Sequence, residues 1–168
     1  VPLGIDSAPK YYLNTMKRLA KLQRSLSHCV KGSNNYKKVQ NKLQKLHRHI
    51  ANQRNDFLHK LSRQIVNTYD VVVVEDIDLR IMSQLHHMGR SLMDNGYGIF
   101  REMLKYKMME KGKYYIKANK YFPSSKQCYK CGYIHAGLQI TDKEWECPAC
   151  HTVHNRDINA AKNLAQYG

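Results

Sequence analysis

Four cysteines, Cys128, Cys131, Cys147 and Cys150, fall as C-x2-C-x15-C-x2-C. Nothing else in the chain narrows the fold as much. A two-residue gap lets both thiolates of a pair point at one ion. The longer loop lets the second pair close a tetrahedron around it. The spacing predicts a small ribbon over 123–153 closed by a structural Zn2+ ion. His135, His151 and His154 lie close by, but a complete set of four thiolates leaves them no place among the ligands. Seven residues past Cys150 stands Asp157, just before Asn159-Ala160-Ala161, which reads as the first turn of a closing helix. A metal-braced ribbon would hold that acid in a fixed place. Four of the five cysteines in a metal spacing point to a reducing compartment, not to a disulfide scaffold. The expected setting is the cytoplasm. Cys29 falls among apolar positions and is expected to be buried and inert.

The 168 residues carry a formal net charge of +15, which calls for a polyanionic partner. The charge is one-sided. Between Ser7 and Tyr69, fourteen Lys and Arg face a single acid, Asp56, so +13 of the +15 lies there. A solvated helix face mixes signs. This stretch does not, and it reads as a surface for phosphate backbone. Lys17, Arg18, Lys21, Arg24, Lys37, Lys38, Lys42 and Lys45 are the candidate contacts, of a kind that carries affinity and no base choice. No apolar run approaches a membrane span. The first residue is not Met, so a piece of a longer chain is expected.

Taken in order, Val1 to Asp6 reads as a short strand ending in an acid. From Tyr12, apolar residues recur at helical spacing through Met16, Leu19, Leu22 and Leu26, and Gly32-Ser33-Asn34 then punctuates. A second periodic run passes through Tyr36, Val39, Leu43, Leu46, Ile50, Phe57, Leu61 and Ile65, which implies an antiparallel helical hairpin. Four consecutive valines, Val71–Val74, predict a strand buried on both faces, with Glu75 and Asp76 at its end. Arg80 to Arg90 reads as a mobile loop or lid near Glu75, in which His86 and His87 could be ligands, although solvated loop histidines are commoner. Asp94-Asn95 offers a helix cap, Ile99, Phe100, Met103, Leu104 and Met108 an apolar face, and Gly112 a stop. Lys113 to Ala118 alternates like another strand. The order suggests an α/β layer with helices on a small sheet.

Asp6, Glu75 and Asp157 all stand at element ends. Separated carboxylates of this kind can converge on two divalent cations, and Mg2+ suits them because it keeps positions open for phosphate oxygens. A carboxylate that merely marks where a strand reaches water explains Glu75 equally well.

The chain resembles the transposon-encoded TnpB (OrfB) proteins, RNA-guided nucleases related to the type V CRISPR effectors. The resemblance rests on G-I-D at Gly4–Asp6, K-G-S-N-N-Y at Lys31–Tyr36, N-D-F-L-H-K-L-S at Asn55–Ser62 and V-V-E-D at Val73–Asp76. It rests above all on F-P-S-S-K-Q-C-Y-K-C-G at Phe122–Gly132 and W-E-C-P-A-C-H-T-V-H-N-R-D-I-N-A-A at Trp145–Ala161. It implies an RNase H-like (RuvC) nuclease domain over 1–122 and 154–168 with the zinc finger inserted at 123–153. Asp6, Glu75 and Asp157 would be its acidic triad, with DNA and a guide RNA as partners. Two departures stand out. The family's N-terminal half has no counterpart here. Where the family has a β-hairpin after the first acid, only Ser7-Ala8-Pro9-Lys10 remain, so a shortened sheet is expected. The alternatives are a catalytically weak or inactive nucleic-acid-binding zinc-finger protein, and a zinc-ribbon module for protein partners, which leaves the one-sided charge unexplained.

Overall fold

The computed structural model describes residues 11–76, 96–139 and 141–168. The expected first strand with Asp6, the loop with His86 and His87, and the Asp94-Asn95 cap lie outside the described residues. The chain divides into two compact units, 1–65 with 78–104, and 66–77 with 105–168.

The first unit is helical. Helix α1 spans Tyr11–Ser27 and α2 spans Asn34–Thr68. The turn between them is closed by Ser33, whose Oγ accepts from the Tyr36 amide at 3.1 Å and caps α2. Leu19, Leu46 and Ile50 form a buried cluster, flanked by Tyr11, Leu22 and Leu43. The pairing of early α1 with later α2 is the antiparallel hairpin that the periodicity predicts. Cys29 departs from expectation. It is half-exposed at the end of α1, where its Sγ donates to the Ser25 carbonyl at 3.2 Å. The apolar stripe ends at Leu26, because the helix ends before Cys29 can reach the interface.

The second unit holds the strands. β1 (Val71–Glu75) and β2 (Tyr114–Ala118) pair in parallel, with Val71 opposite Tyr114 and Glu75 opposite Ala118. Helix α3 (Tyr97–Glu110) precedes β2. It ends in a Schellman motif: the Lys113 amide donates to Met108 O at 2.9 Å and the Gly112 amide to Met109 O at 3.0 Å, with Gly112 at φ 64°. Lys113 then ties the sheet to the end of α2. Its Nζ donates to Val66 O at 2.8 Å and Tyr69 O at 3.2 Å and pairs with Asp70 at 3.0 Å. The valine strand is not buried on both faces. Val71 is exposed and Val72 to Val74 are half-buried. Among the described residues β1 has one strand neighbour, and an apolar run reports only that a strand is covered somewhere, not how fully.

Strands β3 (Glu144–Glu146) and β4 (Val153–Asn155) form an antiparallel pair that leads straight into helix α4 (Arg156–Tyr167). The end of α4 lies on the sheet. A Cβ added at Gly168 would stand 2.7 Å from Val73 Cγ2 and 3.2 Å from Ile116 Cδ1. Phe122 and Tyr167 stack with centroids 4.9 Å apart, and the Tyr167 hydroxyl accepts from the Asn119 amide at 3.0 Å.

Candidate metal centre and acidic site

The four cysteines come together. Their Sγ atoms all lie within 4.8 Å of one another, with Cys128–Cys150 at 3.7 Å and Cys131–Cys147 at 3.6 Å. A tetrahedral thiolate site with metal–sulfur bonds of ~2.3 Å has sulfur–sulfur edges of roughly 3.8 Å, so the spacing fits a bound ion. Two matching turns build it. In each, the residue after the second cysteine has positive φ, Gly132 at 79° and His151 at 54°. In each, that residue's amide donates to the first cysteine's carbonyl: Gly132 to Cys128 and His151 to Cys147, both at 2.9 Å. The amides of Cys128 and Cys147 in turn donate to Tyr133 O and Thr152 O.

The four thiols differ in their surroundings. Cys150 is drawn down to about 6 by hydrogen bonds from the Thr152 side chain and backbone. The Tyr133 backbone pulls Cys131 down, but desolvation and the other three thiols outweigh it and push Cys131 up to about 12. Four thiols this close favour shared protons or a cation. His154 stands behind the cluster. It is 3% exposed and its Nε2 is 3.1 Å from Cys128 Sγ. Burial, with Lys162 and Lys130 nearby, holds its pKa below the ordinary value, which keeps the ring neutral. Trp145 packs on it with centroids 4.7 Å apart, and Tyr129 meets it edge-on at 5.2 Å. His154 thus serves the site as a hydrogen-bond partner of a ligand and not as a replacement for one.

Glu75 closes β1, half-buried, and its Oε1 accepts a hydrogen bond from Ser124 Oγ. Its neighbour Asp76 is already paired with Lys117 at 2.8 Å. Asp157 is exposed in the first turn of α4. Asn155 caps that helix, its side chain accepting from the amides of Asp157 and Ile158 at 3.1 and 3.2 Å. Helix α4 also carries two buried asparagines one turn apart, Asn159 and Asn163. The Asn163 Nδ2 donates to Ser124 O at 2.7 Å and Gln127 O at 2.6 Å. The Asn159 Nδ2 donates to Gln127 O at 2.7 Å, while its Oδ1 accepts from the Tyr129 amide at 3.0 Å.

These contacts orient the helix. Gly168 sits by Val71 and Val73, and Asn163 sits by Ser124, which reaches Glu75. Moving back along α4 therefore moves toward the carboxyl end of β1. Asp157 lies six residues before Asn163, about 9 Å further along the axis. Glu75 and the start of α4 belong to one end of the sheet, where oxygen donors suit a hard divalent cation. Lys17, Arg18, Lys21, Arg24, Lys37, Lys38, Lys42 and Lys45 are all exposed on α1 and α2. Two stripes repeat one spacing: Lys17, Lys21 and Arg24 on α1, and Lys38, Lys42 and Lys45 on α2.

Sequence reasoning missed Ser124, Asn159, Asn163 and the part played by His154. The one available signal was the i, i+4 spacing of the two asparagines on the closing helix.

Two family models match. One, described as "Probable transposase" (OrfB_IS605), covers residues 5–86; the other, "Cas12f1-like, TNB domain", covers 97–164. A Streptomyces pristinaespiralis protein named "Putative RNA-guided DNA endonuclease" is 39% identical over 160 residues, covering 95% of this chain and 40% of its own length. The Escherichia coli (strain K12) protein "Putative RNA-guided DNA endonuclease InsQ" is 30% identical over 172 residues, covering 94% of this chain and 42% of its own. This chain thus spans about two fifths of the length of these relatives. A chain in the "Cryo-EM structure of the Cas12f1-sgRNA-target DNA complex" superposes with a TM-score of 0.60 at 19% identity, over 90% of this chain and 41% of that one. That likeness is one of fold. With two family models matching 5–86 and 97–164 and similarity to these relatives along nearly its whole length, the chain belongs to the TnpB (OrfB) family.

Proposed function

We propose that this chain is the nuclease portion of an RNA-guided DNA endonuclease, and that it hydrolyses phosphodiester bonds with Asp6, Glu75 and Asp157 as Mg2+ ligands. The observation that carries the reading is the tie between two of those acids. Ser124 bonds Glu75 through its hydroxyl and the helix of Asp157 through its carbonyl. The RuvC-like domain comprises 1–122 and 154–168, and the zinc finger comprises 123–153. Zn2+ held by Cys128, Cys131, Cys147 and Cys150 is structural, since four thiolates fill its coordination shell.

When bound, a pair of Mg2+ ions supplies an activated water and charge stabilisation at the leaving oxygen. The chain's own residues prepare for this. Glu75 is oriented by Ser124. Asp157 is presented at a capped helix start. The exposed bases of α1 and α2 hold the backbone of DNA and of a guide RNA. The place of action is the cytoplasm, a reducing compartment in which four thiolates stay free to hold a metal. Among the described residues no helix is long and apolar enough to cross a membrane.

The test is DNA cleavage in Mg2+ by this chain against its Asp157→Ala variant. Cleavage that the substitution abolishes supports the reading, and equal rates in both end it. The one-sided charge of α1 and α2 favours a second reading, a nucleic-acid-binding protein without cleavage. Salt-sensitive binding with no metal-dependent cleavage in either chain would select it.

A further inference from the structure

Glu75 accepts its hydrogen bond from a residue that is itself unusually constrained. Ser124 is 6% exposed, so its hydroxyl is not a mobile surface group. Its backbone is held independently of that hydroxyl. The carbonyl accepts from Asn163 at 2.7 Å, and the Gln127 carbonyl three residues on accepts from both Asn163 and Asn159. Asn159 also takes the amide of Tyr129, the residue after the first cysteine of the metal cluster. An unbroken path of hydrogen bonds thus runs from the Cys128 turn through the two asparagines to Ser124 and on to Glu75.

We propose that Ser124 is a positioning residue: it fixes the Glu75 carboxylate for a divalent cation, and through it the four-cysteine turn sets that carboxylate's orientation. The proposal rests on Glu75 being a cation ligand. A glutamate at a strand end has three side-chain torsions to order. The Ser124 hydroxyl engages one lone pair of Oε1 and leaves Oε2 and the second lone pair available. A donor whose backbone is pinned at its own carbonyl and again at Gln127 O has little freedom to follow a wandering carboxylate, so the carboxylate must come to it. Partners of this kind are worth 10- to 100-fold in metal affinity.

The test uses the whole zinc-loaded chain and Mn2+ as the probe, titrated by the EPR signal of the free ion. Zinc content and circular dichroism are recorded for every variant. Ser124→Ala is expected to keep its zinc and its helix content while binding Mn2+ roughly 10-fold more weakly or worse. Ser124→Thr, which keeps the hydroxyl, should restore most of that loss. Glu75→Gln should lose at least as much as Ser124→Ala. If Glu75→Gln binds Mn2+ like the wild type, the reading of Glu75 as a ligand fails and the proposal falls with it. If Glu75→Gln is impaired but Ser124→Ala binds no more weakly than the wild type, only the positioning role is overturned. Should Ser124→Ala lose zinc, the isosteric pair Ser124→Thr and Ser124→Val decides, and equal Mn2+ affinity in the two overturns the role.

Discussion

Asn163 offers the sharpest test of how α4 is held to the cysteine turns. It is 2% exposed, and its amide donates to Ser124 O and Gln127 O at 2.7 and 2.6 Å. In Asn163→Ala the two carbonyls fare differently. Gln127 O keeps the Asn159 amide at 2.7 Å, whereas Ser124 O retains only a 3.5 Å contact to the same group. One buried carbonyl is thus left nearly bare, at a cost of about 1–3 kcal/mol. The space left by the missing amide adds about 1 kcal/mol. The expected loss is therefore about 2–4 kcal/mol. Asn163→Asp separates hydrogen bonding from packing. It keeps the shape but aims a carboxylate at two carbonyls, so it should cost more than alanine at neutral pH despite the smaller change in volume. Urea unfolding of the zinc-loaded chain, followed by fluorescence of its single tryptophan, Trp145, reports on this unit. Wild-type stability in Asn163→Asp would refute the clamp, whatever alanine did.

His154→Phe should keep the ring stack with Trp145 but remove the partner of Cys128, weakening zinc binding by about 10- to 100-fold in a competition with a chromogenic chelator. Cys131→Ser should cost most of the zinc affinity and leave β3, β4 and the start of α4 unfolded, because a site of this kind draws its folding energy from the metal; hydrogen exchange over 128–158 would show it. Replacing Lys38, Lys42 and Lys45 by alanine should lower the slope of log affinity against log salt for duplex DNA by roughly 0.9 for each phosphate no longer neutralised, with little change in unfolding. Gly112→Ala meets no atom within 4 Å but keeps φ at 64°, so its cost should be the left-handed backbone alone, about 1 kcal/mol, measured by urea unfolding.

The parts of this fold that could be read from the sequence are those governed by local rules. The spacing of four cysteines gathered four sulfurs, the Leu19 and Leu46 periodicities gave a helical hairpin, and Gly112 stopped a helix. What could not be read depends on which distant groups meet. Val71 to Val74 look the same in a strand covered on both faces or on one. Asn159 and Asn163 look like ordinary polar helix residues until two carbonyls more than thirty residues upstream face them. Cys29 reads as core because it follows an apolar stripe, yet the helix ends first. In each case the missing information is the position of another element, which no window of sequence contains.

The cysteine cluster is not a bead strung beside the acidic site, because two separate routes connect them. One is short and local. β4 pairs with β3, its last residue Asn155 caps α4, the Arg156 amide bonds Lys143 O at 2.8 Å, and Asp157 is the next residue. The other crosses the unit, from Tyr129 through Asn159 and Asn163 to Ser124 and Glu75. The two routes start from different cysteine turns and end on different carboxylates. Disorder in the cluster must therefore disturb both acids, whereas an ordinary surface loop could loosen one and spare the other. On the proposed reading, Glu75 and Asp157 act together, and both gain from being referred to one rigid body. An ion held by the four thiolates would supply such a body in about twenty-five residues, too few to build an apolar core of equal stiffness.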